Sequence, residues 1–263
     1  MDLLLNNKIA LVTGASKGLG YATAQSLASE GCQVIIISRN KTNLEKAAAT
    51  IKAQTGKQVL FYPADVSKKE AIQGLFKFIQ TQYGQLDIVV ANSGGPKAGK
   101  FEDLPEESWY RAIENNLMGT IRLFKAGINL MKKKENGGRL LVITTTGAKQ
   151  PQDNLIISNT LRAGIHAMVK TLSREVVSLG ITVNAVVPGK FMTDRQMEIA
   201  NTIAKRENIT VEAAIAGRVK PIPMQRMGKP SELADYIAYL CSPKAEYITG
   251  TALNIDGGFL GTI

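Results

Sequence analysis

KIALVTGASKGLGYATAQSLASEG, residues 8–31, is the stretch whose reading decides the fold. Ile9 to Val12 form an apolar run with the length and β-branched character of a buried strand. Thr13-Gly14-Ala15-Ser16-Lys17-Gly18-Leu19-Gly20 follow as a glycine-rich turn. From Tyr21 the apolar residues Ala24, Leu27 and Ala28 recur at helical spacing, and Gly31 marks a helix end. Strand, glycine turn and helix together make an anion site from backbone alone. Glycine lets the chain approach a phosphate closely, and the unpaired first N–H groups of the helix face the charge. A lone GxGxxG is weak evidence. Its place between a strand and a helix, with a second strand following, reads as a nucleotide cradle rather than an idle loop.

The chain has 263 residues, 44% of them hydrophobic, which suits one large α/β domain over 1–263 with a sizeable core. No Pro-, Gly- or Ser-rich linker and no internal repeat divides it. The net charge of +10 is compatible with a nucleic-acid binder, but the Lys and Arg residues are scattered. The densest cluster, Lys132-Lys133-Lys134, reads as the solvated end of a helix. Attraction for phosphorylated or acidic small molecules explains the charge more simply than nucleic acid does. Cys32 and Cys241 are far apart in apolar surroundings, as free thiols of a reduced compartment would be. MDLLLNNK lacks the features of a signal peptide, and no apolar run approaches the roughly 18 residues of a membrane span. A cytoplasmic protein with no membrane partner is expected. No metal-ligand spacing is present.

A second apolar run, 34–37, ends at Ser38-Arg39-Asn40. In a dinucleotide fold an acid there would hold the ribose hydroxyls of NAD, whereas a cation accommodates a 2′-phosphate. Arg39, with Lys17 as a second cation, argues for NADP(H) over NAD(H); two ordinary surface cations are the plainer alternative. Helix 42–55 and strand 58–62 lead to Asp65-Val66. Asp65 either accepts from an adenine amino group or caps the next helix, 69–83. Strand 86–90 runs into Ala91-Asn92-Ser93-Gly94-Gly95, a small-residue turn. A helix over 105–132 carries Asn115 and Asn116. Strand 139–143, Thr144-Thr145-Thr146, a helix over 158–178 and strand 181–187 follow, closing on Pro188-Gly189. The long insertion 192–227, rich in Met, Ile and Ala, suits a substrate lid or an extra packing helix pair. Its apolar residues (Ile199, Ile203, Ile209, Ala213, Ile215) favour an apolar or acyl substrate with basic residues at the rim. Helix 231–241 and strand 251–256 complete the chain. Alternating strands and helices imply a doubly wound parallel sheet with helices on both faces.

Taken together, TGASKGLG (13–20), Asp65-Val66, ANSG (91–94), Asn116-Leu117, ITVNAVVPG (181–189) with Thr193, and TGTALNIDGG (249–258) resemble the short-chain dehydrogenase/reductase family. The likeness covers essentially the whole length and lies nearest to 3-oxoacyl-acyl-carrier-protein reductases. It implies a Rossmann-like sheet of about seven strands, an NAD(P) cofactor, and a homo-tetramer or homo-dimer built through the helices at 105–132 and 158–178. It also implies that Gly14, Ser16, Lys17, Gly18, Leu19 and Gly20 hold the pyrophosphate and ribose. Ser38 and Arg39 would meet the 2′-phosphate, Asp65 and Val66 the adenine, Asn92 and Gly94 the ribose, and Pro188, Gly189 and Thr193 the nicotinamide end.

The family's chemistry rests on a Ser, an Asn, and the Tyr and Lys of a Tyr-x-x-x-Lys motif. In LIISNTLRAGI (155–165) the Tyr position is Ser158 and the Lys position is Arg162, while Thr145 stands at the Ser position and Asn116 at the Asn. A serine hydroxyl is a far weaker acid than a phenol and much shorter in reach. Arginine stays protonated at any working pH, so it holds ribose hydroxyls and polarises an oxygen but relays no proton. His166, Lys149, Lys190 and Asp153 are the candidates to replace the lost acid, each with a plainer reading as a packed or solvated side chain. Two functional readings follow: an NADP-dependent oxidoreductase with atypical catalytic residues (Asn116, Thr145, Ser158, Arg162), or a non-catalytic NADP(H)-binding module.

Overall fold

The computed structural model describes residues 1–132 and 137–262, so Lys133 and Lys134 of the basic cluster lie outside the described residues. Strands β1 (Ile9–Thr13), β2 (Gln33–Ser38), β3 (Leu60–Pro63), β4 (Ile88–Ala91), β5 (Gly138–Ile143), β6 (Ile181–Pro188) and β7 (Ala252–Ile255) form one sheet. Its order is β3-β2-β1-β4-β5-β6-β7, and every pairing is parallel. The expected seven-stranded, doubly wound α/β architecture is what forms. Side chains along a strand alternate between the two faces, so a strand covered on both faces is apolar throughout. β1 shows the result: Ala10 and Val12 enter one core with Leu27, Leu44 and Leu233, while Ile9 and Leu11 enter the other with Leu75, Phe124 and Ile165.

The first core lies under α1 (Gly18–Ser29), α2 (Lys41–Thr55) and α9 (Pro230–Cys241), and α1 packs closely on α9. The second lies under α3 (Lys69–Tyr83), α5 (Gly119–Met131) and α6 (Ile156–Val176). The single helix expected over 105–132 is instead interrupted. α4 (Glu106–Ala112) passes through a π-helical segment, Ile113–Met118, into α5. Such bulges re-aim side chains at functional sites, and here the segment carries Asn116, only 1% exposed. The third strand begins two residues later than the sequence suggests, at Leu60, and α6 begins two residues before Ser158.

Residues 192–227 hold α7 (Asp194–Glu207) and α8 (Val211–Val219). Ile203 and Ile215 pack with Ala200, Ala204 and Ala214 in a small core of the pair itself. Part of the apolar character that suggested an apolar substrate is therefore used inside the insertion. Cys32 and Cys241 are free and buried, and burial pushes the Cys32 thiol up to about 12. No helix among the described residues is long and apolar enough to cross a membrane.

Candidate active site

The strand order reverses direction between β1 and β4, so the loops after them open a crevice at the carboxyl ends of the strands, where open α/β sheets bind ligands. The glycine turn lines one side. Lys17 is the N-cap of α1 in extended backbone with no side-chain capping bond, which leaves the helix's first N–H groups for a ligand. Gly14 sits at φ +58°, and a Cβ there would meet Asn92 O at 2.7 Å. A Cβ on Gly20 would lie 2.5 Å from Gly14 O. Both glycines are therefore demanded by how tightly the turn folds on itself and on the end of β4.

Asn92 fastens that turn. Its amide N–H donates to Thr13 Oγ1 (2.9 Å), its carbonyl accepts from Thr13 Oγ1 (2.8 Å), and its Nδ2 donates to Gly14 O (3.2 Å). Ser16 and Leu19 lie in the same turn and first helical turn, with Leu19 packed against the first core. Lys17 reaches across to Glu198 of α7 at 3.4 Å. At the end of β2, Ser38 donates to Asn40 O (3.5 Å) and Arg39 is exposed. Asp65 Oδ1 accepts from Ser67 N (3.0 Å) and Ser67 Oγ (2.8 Å), while Lys68 is the N-cap of α3. Burial pushes its carboxyl up, but those two bonds and the nearby Arg39 and Lys68 win, leaving it below its ordinary value. The backbone of neighbouring Val66 lies against Gly119 of α5.

On the other side of the crevice, Arg162 is 4% exposed and reaches from α6 to the ends of two strands. Nη1 donates to Ile143 O (3.1 Å), and Nη2 approaches Ser93 O (3.5 Å) and Ser93 Oγ (3.4 Å). Asn116 Nδ2 donates to the same Ser93 Oγ (2.7 Å) and to Gly94 O (2.9 Å). The π-helical segment, the loop after β4 and α6 are thus tied into one network whose centre, Ser93, the sequence reading did not single out. Its signal was its place: the only side-chain hydroxyl in the turn after β4, at the point where strand order reverses. Burial lowers the Arg162 guanidinium to about 10, so it remains a cation near neutrality.

Ser158 lies one helical turn before Arg162 on the same face of α6 and is half-buried. Thr145 accepts from Gly147 N (3.5 Å) in the loop after β5 that packs on α6. Pro188 and Gly189 end β6, where a Cβ on Gly189 would meet Asp256 at 2.7 Å, and Thr193 is the N-cap of α7.

The four replacement candidates part company. His166 Nε2 lies 2.9 Å from Thr144 Oγ1, which itself donates to Val186 O (3.1 Å), so the imidazole bonds to the residue beside Thr145. Burial, then Lys149 and Arg162, push its pKa down to about 4, which makes it neutral at physiological pH. Lys190 Nζ donates to Arg218 O (2.9 Å) and stands 5.0 Å over the Phe259 ring. Asp153 is exposed and Lys149 half-buried. A cavity of about 580 Å³ lies at the opposite, amino ends of the strands, lined by Lys8, Asp87, Arg139 and Glu246 among others, and no candidate site residue borders it.

The His166 environment predicts a stability effect. Between about 6.5 and about 4 the unfolded chain takes up a proton at this residue that the folded chain refuses, so stability falls as pH falls through that window. Melting temperature measured by calorimetry should drop more steeply there for the parent than for His166→Gln. Equal slopes would mean that the ring is not held neutral.

The family model described as enoyl-(acyl carrier protein) reductase matches residues 14–260. The chain belongs to the short-chain dehydrogenase/reductase family, a family of oxidoreductases with the Rossmann fold. An uncharacterized oxidoreductase of Bacillus subtilis strain 168, YvaG, is 33% identical over 100% of both chains. A 3-oxoacyl-[acyl-carrier-protein] reductase, FabG, of Staphylococcus epidermidis is 31% identical over 96% of this chain and 98% of its own. Among solved structures, L-sorbose reductase from Gluconobacter frateurii, complexed with NADPH and L-sorbose, superposes with a TM-score of 0.96 at 29% identity over 100% of both chains.

Proposed function

We propose that the chain is an NADP(H)-dependent oxidoreductase interconverting a carbonyl and an alcohol, with Ser158 and Arg162 in place of the usual phenol and lysine. The observation that carries this is the buried Arg162–Ser93–Asn116 network beside a turn with no room for a Cβ at Gly14 or Gly20. An idle pocket has no need to keep a guanidinium dehydrated. The cradle fits a dinucleotide diphosphate, and an exposed Arg39 rather than an acid at the end of β2 fits a 2′-phosphate. When bound, a reduced nicotinamide supplies the hydride.

The chain's own residues then act on oxygen. The Ser158 and Thr145 hydroxyls hold the carbonyl oxygen, and Arg162 stabilises the negative charge that develops as the carbon accepts hydride. Asn116 fixes the Ser93–Gly94 turn and orders a water. The alkoxide takes its final proton from water, because neither Arg162 near neutrality nor neutral His166 is a useful acid. A positioned acid is worth about 10²–10⁴-fold, so turnover is expected to be slow. Residues 192–227 form the substrate lid, and the chain assembles as a homo-dimer or homo-tetramer. Tyr110 on α4 (61% exposed) and Val177 just after α6 (51%) supply apolar surface for that assembly. The expected location is the cytoplasm.

The test is NADPH oxidation with a panel of β-ketoacyl thioesters, quinones and small ketones. Saturable NADPH binding without turnover of any of them would favour the non-catalytic module instead. Coenzyme choice has its own test. Arg39→Asp should lower the ratio of NADPH to NADH affinity by about 100-fold, since a charge-assisted contact is lost and an anion gained. An unchanged ratio in calorimetric titrations would remove Arg39 from the 2′-phosphate site.

A further inference from the structure

Of the cations that meet a carboxylate among the described residues, only Lys8 (34%) and Arg122 (22%) are half-buried. The cations that meet a carboxylate are largely solvent-exposed, such as Lys17 (62%), Lys41 (69%), Arg195 (71%) and Arg206 (72%). Lys149, Arg162, Lys190 and Arg218 are all at least half-buried, and none has a carboxylate within 4.0 Å among the described residues. Buried charge is ordinarily paired, because a dehydrated cation without an anion is costly. Arg139 likewise has no carboxylate within 4.0 Å among the described residues, but it lies at the other end of the sheet in the field of Glu246 and Asp87.

The four cations form two pairs at the ends of adjacent strands. Lys149 and Arg162 both act on the His166 ring, at the end of β5. Lys190 and Arg218 join through the Lys190 Nζ bond to Arg218 O, at the end of the adjacent β6. The segment Phe259–Gly261 links the two pairs: Lys190 stands over Phe259, while Gly261 N donates to Gln150 Oε1 (3.4 Å), next to Lys149. Burial and the neighbouring Arg218 hold Lys190 below its ordinary value, and burial does the same to Arg218. Neither the glycine turn nor the end of β2 contributes to this group, so phosphates bound there would leave it unneutralised.

Resting on the oxidoreductase reading above, we infer that the substrate is an anionic ketone, whose carboxylate or phosphate supplies the missing counter-charge to Lys149, Lys190 and Arg218. The carbonyl lies on the Ser158 side and the anionic group towards the β6 end and α8. The occupation of lid apolar residues by their own packing agrees with this.

The experiment compares three probes with one acyl core: 3-oxobutanoate, its methyl ester, and the coenzyme A thioester, which carries its anions on remote phosphates. Binding to the full-length protein saturated with NADP⁺ is measured by calorimetry, and turnover with NADPH is measured in parallel. The acid or the thioester should bind at least about tenfold more tightly than the ester. The gap should shrink with added salt and in Lys190→Gln and Arg218→Gln. Preference for the acid identifies a carboxylate on the ketone itself, and preference for the thioester identifies a carrier phosphate. An ester that binds as well as both anions, or no binding by any of the three, overturns the inference. Tight anion binding without turnover would sustain the anion site and sink the oxidoreductase reading alone.

Discussion

Arg162→Met is expected to lower kcat/KM for ketone reduction by about 10²–10³-fold while leaving NADPH affinity within about tenfold. The residue is 4% exposed, its neighbours are carbonyls and a hydroxyl, and no carboxylate neutralises it among the described residues. A cation in such surroundings interacts strongly with charge that appears only as hydride is delivered. Methionine keeps the length and apolar stem of the side chain and removes the charge. A loss that fell mainly on NADPH binding would assign the guanidinium to the coenzyme rather than to the reacting oxygen. The companion variant, Ser158→Tyr with Arg162→Lys, restores the phenol and amine of the family. It is expected to be slower than the parent, because a tyrosine ring enters space that the serine leaves to substrate. Turnover by the double variant where the parent shows none would favour the non-catalytic module.

Gly20→Val should weaken NADPH binding by at least about 100-fold. Even its first added carbon would lie 2.5 Å from Gly14 O and 2.7 Å from Asn92 Nδ2, so the turn must open. The backbone N–H groups of the cradle would then miss the diphosphate, losing charge-assisted bonds worth about 1.5–3 kcal/mol each. Overpacking adds about 1–3 kcal/mol of destabilisation, so folding is checked by circular dichroism. Gly217→Ala is the control, since nothing lies within 4 Å of a Cβ there. Calorimetric affinity unchanged in Gly20→Val would remove residues 13–20 from the coenzyme site.

Much of this molecule is written locally. The apolar runs of β1, β2, β4, β5 and β6 and the glycine turn between β1 and α1 can be read without coordinates. Their physics is short-range: a strand covered on both faces reads as a near-continuous apolar run, and a turn folded this closely on itself needs glycine where a Cβ would clash. The continuous helix that local periodicity predicts over 105–132 is interrupted for a reason that periodicity does not carry. Helical periodicity continues through Ile113–Met118, and the π-turn there arises from what Asn116 must reach rather than from local propensity.

By itself the sequence determined the strand–helix alternation and the glycine turn after β1, and through its family resemblance it proposed Thr145, Ser158 and Arg162 as motif positions with no tyrosine among them. Only the tertiary structure decided that Ser93 joins Asn116 to Arg162 and that His166 is held by Thr144 as a neutral ring. It alone left Lys149, Arg162, Lys190 and Arg218 shielded, with no carboxylate within 4.0 Å of any of them among the described residues. Spacing along a chain specifies which residues share a helix face or strand end. Distance, dehydration and the presence of a counter-charge depend on segments tens of residues apart, and they exist only once the sheet has closed.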